Sequence, residues 1–174
     1  ALAGTLGRAM GLAPQELVLL ELGALLHDLG KKDISIDILQ KATPLTSPEQ
    51  ELLELHPVFG WNYVAFTELD DVVKRIILGH HIWANGQGGY PTCFENFKPC
   101  LLTQITAVAN TVDVLVCKKS GPALSVSGCQ QYLEENAGTK FNGDVVDAFK
   151  IVTHQKFTGL NFQRQWESWC KSIG

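Results

Sequence analysis

The sequence predicts an all-α fold, a single-domain helical bundle over residues 1–174, and three observations predict it. Two long apolar stretches, Gln15 to Asp28 and Leu101 to Cys117, carry hydrophobic residues at helical spacing. Helix start signals recur where such stretches begin, with Pro14 at a first helical position and Thr46-Ser47-Pro48-Glu49-Gln50 before another. Period-two alternation, the mark of a half-buried strand, is absent, as are internal repeats and low-complexity linkers.

Taken in order, Ala1 to Met10 reads as the tail of a helix, closed by Gly11. The helix Gln15 to Asp28 is apolar almost all round (Leu17, Val18, Leu19, Leu20, Leu22, Leu25, Leu26), which places it in the middle of the bundle, with Gly30 ending it. Asp33 to Leu39 is long enough for one helical turn. Ser47 as cap, Pro48 at the first position and Gln50 completing a capping box open the next helix. That helix is expected to run to Val64, kinked at Pro57, which lacks a backbone donor. Asp70 caps a helix from Val72 to His81, and Asn85 to Pro91 reads as an irregular loop with several positive-φ positions. Leu101 to Cys117, Ser125 to Asn136 and a segment marked by Val145, Val146, Phe149 and Val152 complete the helices. The tail carries a stripe of Phe162, Trp166, Trp169 and Ile173, read as packing, with a docking face for a partner or an upstream segment as the alternative.

Composition narrows the function classes. Hydrophobic residues are 45% and charged residues 18% of 174, a globular balance. The net charge of -4 disfavours broad nucleic-acid binding. Five scattered cysteines (Cys93, Cys100, Cys117, Cys129, Cys170) form no C-x-x-C pair, so reduced thiols in a cytoplasmic domain are expected. No apolar run reaches the length of a membrane span, so no membrane partner is expected. Helical spacing already present at Leu2, Leu6 and Met10 points to a domain cut from a longer chain.

The chemistry gathers on the histidines. Of five, His27, His56, His80 and His81 fall at helix ends or beside the proline, while His154 reads as a surface residue. With Asp28 they make five candidate ligands, more than one tetrahedral metal needs. Two metals would use them all, with Asp28 able to bridge, and imidazole with carboxylate suits zinc, iron or manganese. Such a centre polarises a phosphoryl oxygen and acidifies water. Lys31 stands close behind, to hold a phosphate oxygen or stabilise a leaving group. Asn110 and Asp113 share a helix face.

These residues resemble the HD-GYP domains, a branch of the HD metal-dependent phosphohydrolase superfamily. The match runs through H-D-L-G-K (His27 to Lys31), I-L-Q-K (Ile38 to Lys41), L-H-P-V-F-G (Leu55 to Gly60), His80–His81, G-Y-P (Gly89 to Pro91), Ile105 to Leu115 and Ala137 to Phe149. The resemblance implies a helical bundle of the HD phosphohydrolase type. It implies a centre of two divalent ions, iron or manganese rather than zinc or magnesium, and hydrolysis of a cyclic dinucleotide, cyclic di-GMP. By position it makes His27, Asp28, His56, His80, His81 and Asn110 metal ligands, and Lys31 with Asp28 catalytic. Lys41 and Lys119 become substrate-binding, and Gly89, Tyr90 and Pro91 the signature loop, tied to loop shape and protein docking. It further implies a regulatory domain upstream of residue 1, where the family's first ligand histidine would also lie.

The sequence departs from that pattern at several points. Ile82 stands where the family has glutamate, Asn85 where it has aspartate, and the loop between them and Gly89 has an extra residue. Asn110 replaces a metal-binding aspartate, and a neutral amide is the weaker ligand. Lys118 to Pro122 occupies the place of an arginine-bearing segment, where Lys119 lacks the bidentate reach of arginine. The alternative these changes imply is a weakened or inactive signalling module of the same fold, binding nucleotide or a partner protein.

Overall fold

A computed structural model describes residues 2–93, 97–117 and 123–154. Lys119, the Lys118–Pro122 segment and the aromatic stripe of the tail lie outside the described residues. Among those described, the secondary structure is helical: α1 (Leu2–Ala9), α2 (Pro14–Leu26), a 3-10 helix η1 (Leu29–Asp33), α3 (Ile36–Leu39), α4 (Ser47–Glu54), α5 (His56–Val64), α6 (Asp71–Gly79), α7 (Leu101–Val116), α8 (Val126–Glu135) and α9 (Gly143–His154). The only extended pairings among them are two isolated bridges, Ile82 with Gly89 and Ala137 with Phe141. The all-α expectation holds. None of these helices is long and apolar enough to cross a membrane.

The main core joins α1, α2, α6, α7, α8 and α9 through Leu6, Leu20, Ile76, Ile105, Leu133 and Phe149, all with no more than trace exposure. Burying each such side chain contributes about 1.5–3 kcal/mol. A smaller cluster, Val64, Val73 and Ile77, seats α5 on α6. Helix α6 is therefore gripped from both sides, and its C-terminal end, bearing His80, is held rigidly.

Four local expectations need correction. Helix α2 is not central: Val18 and Leu25 are 65% and 77% exposed, and only Leu20 and Gly23 of this helix are buried. Gly23 is small because Ile76 of α6 packs where a Cβ would stand. Gly30 does not end α2, which stops at Leu26 with His27 as its C-cap. Gly30 lies within η1, where its bare Cα lets the backbone of α5 approach. Pro57 does not kink a continuous helix. Helix α4 ends at Glu54, Leu55 closes it and opens α5, and Pro57 sits in the first turn of α5, where a missing N–H costs nothing. Finally, the capping box lies one residue earlier than Ser47–Gln50. Glu49 accepts from the Thr46 backbone N–H at 2.7 Å, and Thr46 is the cap. Overlapping S/T-x-x-E/Q pairs offer both registers. Glu49 alone also ion-pairs with Lys41 at 2.6 Å, which favours the one observed.

The remaining helices fall close to expectation. Asp70 caps α6 through the Val72 N–H at 2.8 Å, and Gly11 closes α1 with a φ of 74°. His154 is an exposed residue of α9, in contact with Gln130 at 3.0 Å.

Candidate metal centre

Three histidines are placed by one device. Each follows the last residues of a helix and donates its Nδ1–H to a carbonyl of that helix's last turn. His27 donates to Ala24 O at 2.9 Å after α2, and His56 donates to Leu53 O at 2.7 Å after α4. His80 donates to Ile77 O at 3.0 Å and Ile76 O at 3.2 Å after α6. Committing Nδ1 to the backbone fixes the tautomer and leaves each Nε2 with its lone pair facing inward.

Those nitrogens converge on Asp28. His27 Nε2 lies 3.3 Å from Asp28 Oδ2, while His56 Nε2 and His80 Nε2 lie 3.3 Å and 3.9 Å from Oδ1. The His56 and His80 Nε2 atoms are 3.2 Å apart. Lys31 Nζ reaches Oδ2 at 2.6 Å. His81 closes the group: its ring stands edge-on to His56 at 5.1 Å and tilted to His80 at 4.2 Å. Two sets have donor atoms close enough to share an ion: His56, His80 and His81, and His27, Asp28 and His80.

The electrostatics call for a cation here. His27 Nε2 and Asp28 Oδ1 are buried and make no hydrogen bond of acceptable geometry among the described residues. Two such orphans would be costly if nothing joined them. Burial pushes the Asp28 carboxyl up, but His27, His56 and Lys31 overcome it and hold the group ionised far below the usual range. Burial opposes protonation of His27, yet Asp28 raises its pKa. Burial lowers His80 to about 3, with the charges of His27 and His56 adding to the effect, and lowers His81 well below its usual value. The set is therefore an ionised carboxylate among imidazoles, with His80 and His81 held neutral, and such donors fit a divalent transition metal. His27 lies on the Oδ2 side of Asp28, and His56 and His80 on the Oδ1 side.

A pH dependence follows for the metal-free protein. Unfolded His80 takes up a proton near pH 6.5, whereas in the fold it stays neutral to about 3. The unfolded chain thus binds more protons in that window, and stability falls as pH drops from 6.5 toward 3. His81 acts in the same sense. Above 6.5 His27, whose pKa is raised, works the other way. Urea unfolding in chelator is expected to give a maximum near pH 6.5, and His80→Asn to flatten the acid limb.

The signature loop is explained by what it touches. Gly89 has a φ of 84°, and a Cβ there would run into the His81 carbonyl. This close approach lets the Tyr90 ring stack on His81 at 4.3 Å, bracing that imidazole. The peptide to Pro91 is cis. Ile82 is buried and bridges to Gly89, and the Asn85 side chain accepts from the Gln87 N–H at 2.9 Å. Both departures from the acidic pattern serve the loop.

The other expected residues are distributed differently. Asn110 lines a cavity of about 240 Å³ that also touches His80 and His81. Asp113, one turn along α7, is half-buried; burial raises its pKa, and it feels the charges of His27, Asp28 and Lys31. Lys41 is tied to Glu49 at 2.6 and 2.8 Å rather than to the histidine cluster. Sequence reasoning overlooked Lys140, which lines the Asn110 cavity. Its only sequence signal was its place within the Ala137–Phe149 motif.

The family model described as HD domain matches residues 1–115, a span that holds every member of the His–Asp cluster. The chain belongs to the HD domain family. The resemblance to its HD-GYP branch, first drawn from scattered motifs, stands with that match. This HD domain is 30% identical over 149 residues to the cyclic di-GMP phosphodiesterase response regulator RpfG of Xanthomonas campestris, covering 84% of this chain and 39% of that protein. It is 30% identical over 157 residues to a cyclic di-GMP phosphodiesterase of Vibrio cholerae, covering 86% and 32%. It is 31% identical over 117 residues to the 3'3'-cGAMP-specific phosphodiesterase 2 of Vibrio cholerae, covering 66% and 22%. The chain thus spans well under half the length of these relatives.

Proposed function

We propose that this HD domain is a metal-dependent phosphodiesterase that hydrolyses a cyclic dinucleotide, cyclic di-GMP in the first place. The observation that carries this reading is the convergence of His27, His56 and His80 on Asp28, with buried ligand atoms left unsatisfied. Relatives named for cyclic di-GMP hydrolysis support the choice of substrate. His27, Asp28, His56, His80 and His81 would hold two divalent ions, iron or manganese, with Asn110 a sixth and weaker ligand. Bound there, the ions would polarise the phosphoryl oxygen and lower the pKa of water.

The chain's own residues supply the rest. Asp28 pins the Lys31 ammonium at 2.6 Å, leaving two N–H donors for a phosphoryl oxygen on which negative charge grows as water attacks phosphorus and a ribose oxygen leaves. His80, fully buried and neutral, gives a dry back wall, and Tyr90 keeps His81 from turning away. Lys41 would reach a substrate phosphate by leaving Glu49, and Lys119 would add a second cation. Input from a domain upstream of residue 1, and docking of a protein on the Gly89–Pro91 loop, belong to the same reading, as does a cytoplasmic setting for a single domain over residues 1–174.

One observation favours a weakened module: the α7 position facing His80 and His81 across the cavity holds the amide of Asn110, not a carboxylate. The test is turnover of cyclic di-GMP with manganese(II) or iron(II), with products resolved by chromatography. Activity is expected in the native chain and a several-fold gain in Asn110→Asp. If only Asn110→Asp turns over, the module reading replaces the enzyme reading. If neither does while metal is bound, the phosphodiesterase assignment falls.

A further inference from the structure

The cavity that His80, His81 and Asn110 share is walled by Trp83, Tyr90, Tyr132 and Phe141, and its one lysine is Lys140. At about 240 Å³ it is smaller than pockets that hold a drug-sized ligand. We propose that it receives one purine base of the dinucleotide and that Lys140 selects guanine over adenine. The inference rests on the cyclic dinucleotide reading above and deepens it.

The walls argue for a base. Planar rings with π-faces are what aromatic side chains bind well, whatever the sequence. Beyond His80, His81, Asn110 and Thr111, the lining offers a phosphate a single cation, Lys140, among aromatic and aliphatic side chains, a poor exchange for its hydration. The cation itself is fixed. Lys140 Nζ donates to the Tyr132 hydroxyl at 3.0 Å and lies 5.5 and 5.4 Å from the ring centroids of Tyr132 and Phe141. An ammonium has three donors and the hydroxyl takes one, so others remain for a ligand.

The backbone is fixed as well. The Lys140 carbonyl accepts from Ala84 N–H at 3.0 Å, and the Thr139 carbonyl accepts from Asn85 N–H at 3.1 Å. These bonds strap the turn that bears Lys140 to the loop that bears Gly89, Tyr90 and Pro91. The lysine is therefore held in register with Tyr90 and the ligand His81.

Selection follows from the edges of the bases. Guanine presents two acceptors side by side, O6 and N7, whereas adenine pairs its N7 acceptor with an amino donor. An ammonium with free N–H groups matches the first and is opposed by the second.

The experiment is equilibrium binding of 5'-GMP and 5'-AMP to the metal-loaded full chain by calorimetry, which needs no turnover. Cyclic di-GMP hydrolysis is assayed alongside. GMP is expected to bind about tenfold more tightly than AMP. Lys140→Met should bring the two affinities together, and Lys140→Arg should keep the preference, with far-UV circular dichroism confirming that both variants fold. Equal affinities in the native chain, or a preference that survives Lys140→Met, overturn the Lys140 assignment and leave the phosphodiesterase reading intact if hydrolysis is seen. Hydrolysis without mononucleotide binding overturns the base pocket, and absence of both overturns the assignment together with the reading it rests on.

Discussion

Asp28→Asn is expected to cost at least about 100-fold in metal affinity and to abolish metal-dependent turnover. The substitution keeps the shape and removes the charge. Even residues that only orient a ligand cost 10–100-fold in affinity or activity when lost, and Asp28 is at the centre of the set. Its two oxygens face different partners: Oδ2 meets His27 and Lys31, and Oδ1 meets His56 and His80. The amide would bring a nitrogen to one of these sides and a repelling N–H with it. Lys31 would lose its charged partner, now at 2.6 Å, in the same step. Isotope-labelled manganese retained after desalting, compared with the native chain, measures the effect.

The second large effect is expected from Gly30→Ala. A Cβ there would run into the His56 carbonyl and the backbone nitrogen of Gly60, groups that cannot swing aside. Helix α5 would have to move off η1, at a cost of about 3 kcal/mol. Because η1 follows His27–Asp28 directly and α5 begins at His56, the same shift pulls apart two halves of the cluster. A displacement of 1 Å at a reacting centre costs on the order of 100-fold in rate. Both a lowered urea midpoint and weaker metal binding are therefore expected. Gly143→Ala, where the added carbon meets nothing within 4 Å, serves as the control and should leave both unchanged.

The contrast between Gly30 and Gly143 shows what could be read from the sequence. Periodicity and turn residues report local preferences, and these delivered the helices and the grouping of histidines at helix ends. Gly30 was misassigned because its reason lies on α5, far along the chain. Helix α2 looked central because its composition is apolar, yet which face is covered depends on where α1, α6 and α7 lie, and Val18 and Leu25 are left outside. The α4–α5 break was written in Pro57, but a proline in the first turn of a new helix and one kinking an old helix look alike until Leu55 is seen to close one and open the other. Within the site, Asp28 with His27 was legible as a dipeptide. That His56 and His80 turn their Nε2 atoms onto it follows from Leu53, Ile76 and Ile77 carbonyls, which carry no side-chain signature. Lys140 was hidden for the same reason: only the turn strapped to Ala84 and Asn85 brings it into the cavity beside His81.

The central claim is that these residues hold divalent metal. The most direct measurement is elemental analysis of the full chain loaded with iron(II) or manganese(II) under anaerobic conditions and then desalted. The account predicts about two ions retained per chain, lost in Asp28→Asn. No metal above the buffer blank at any loading would contradict it.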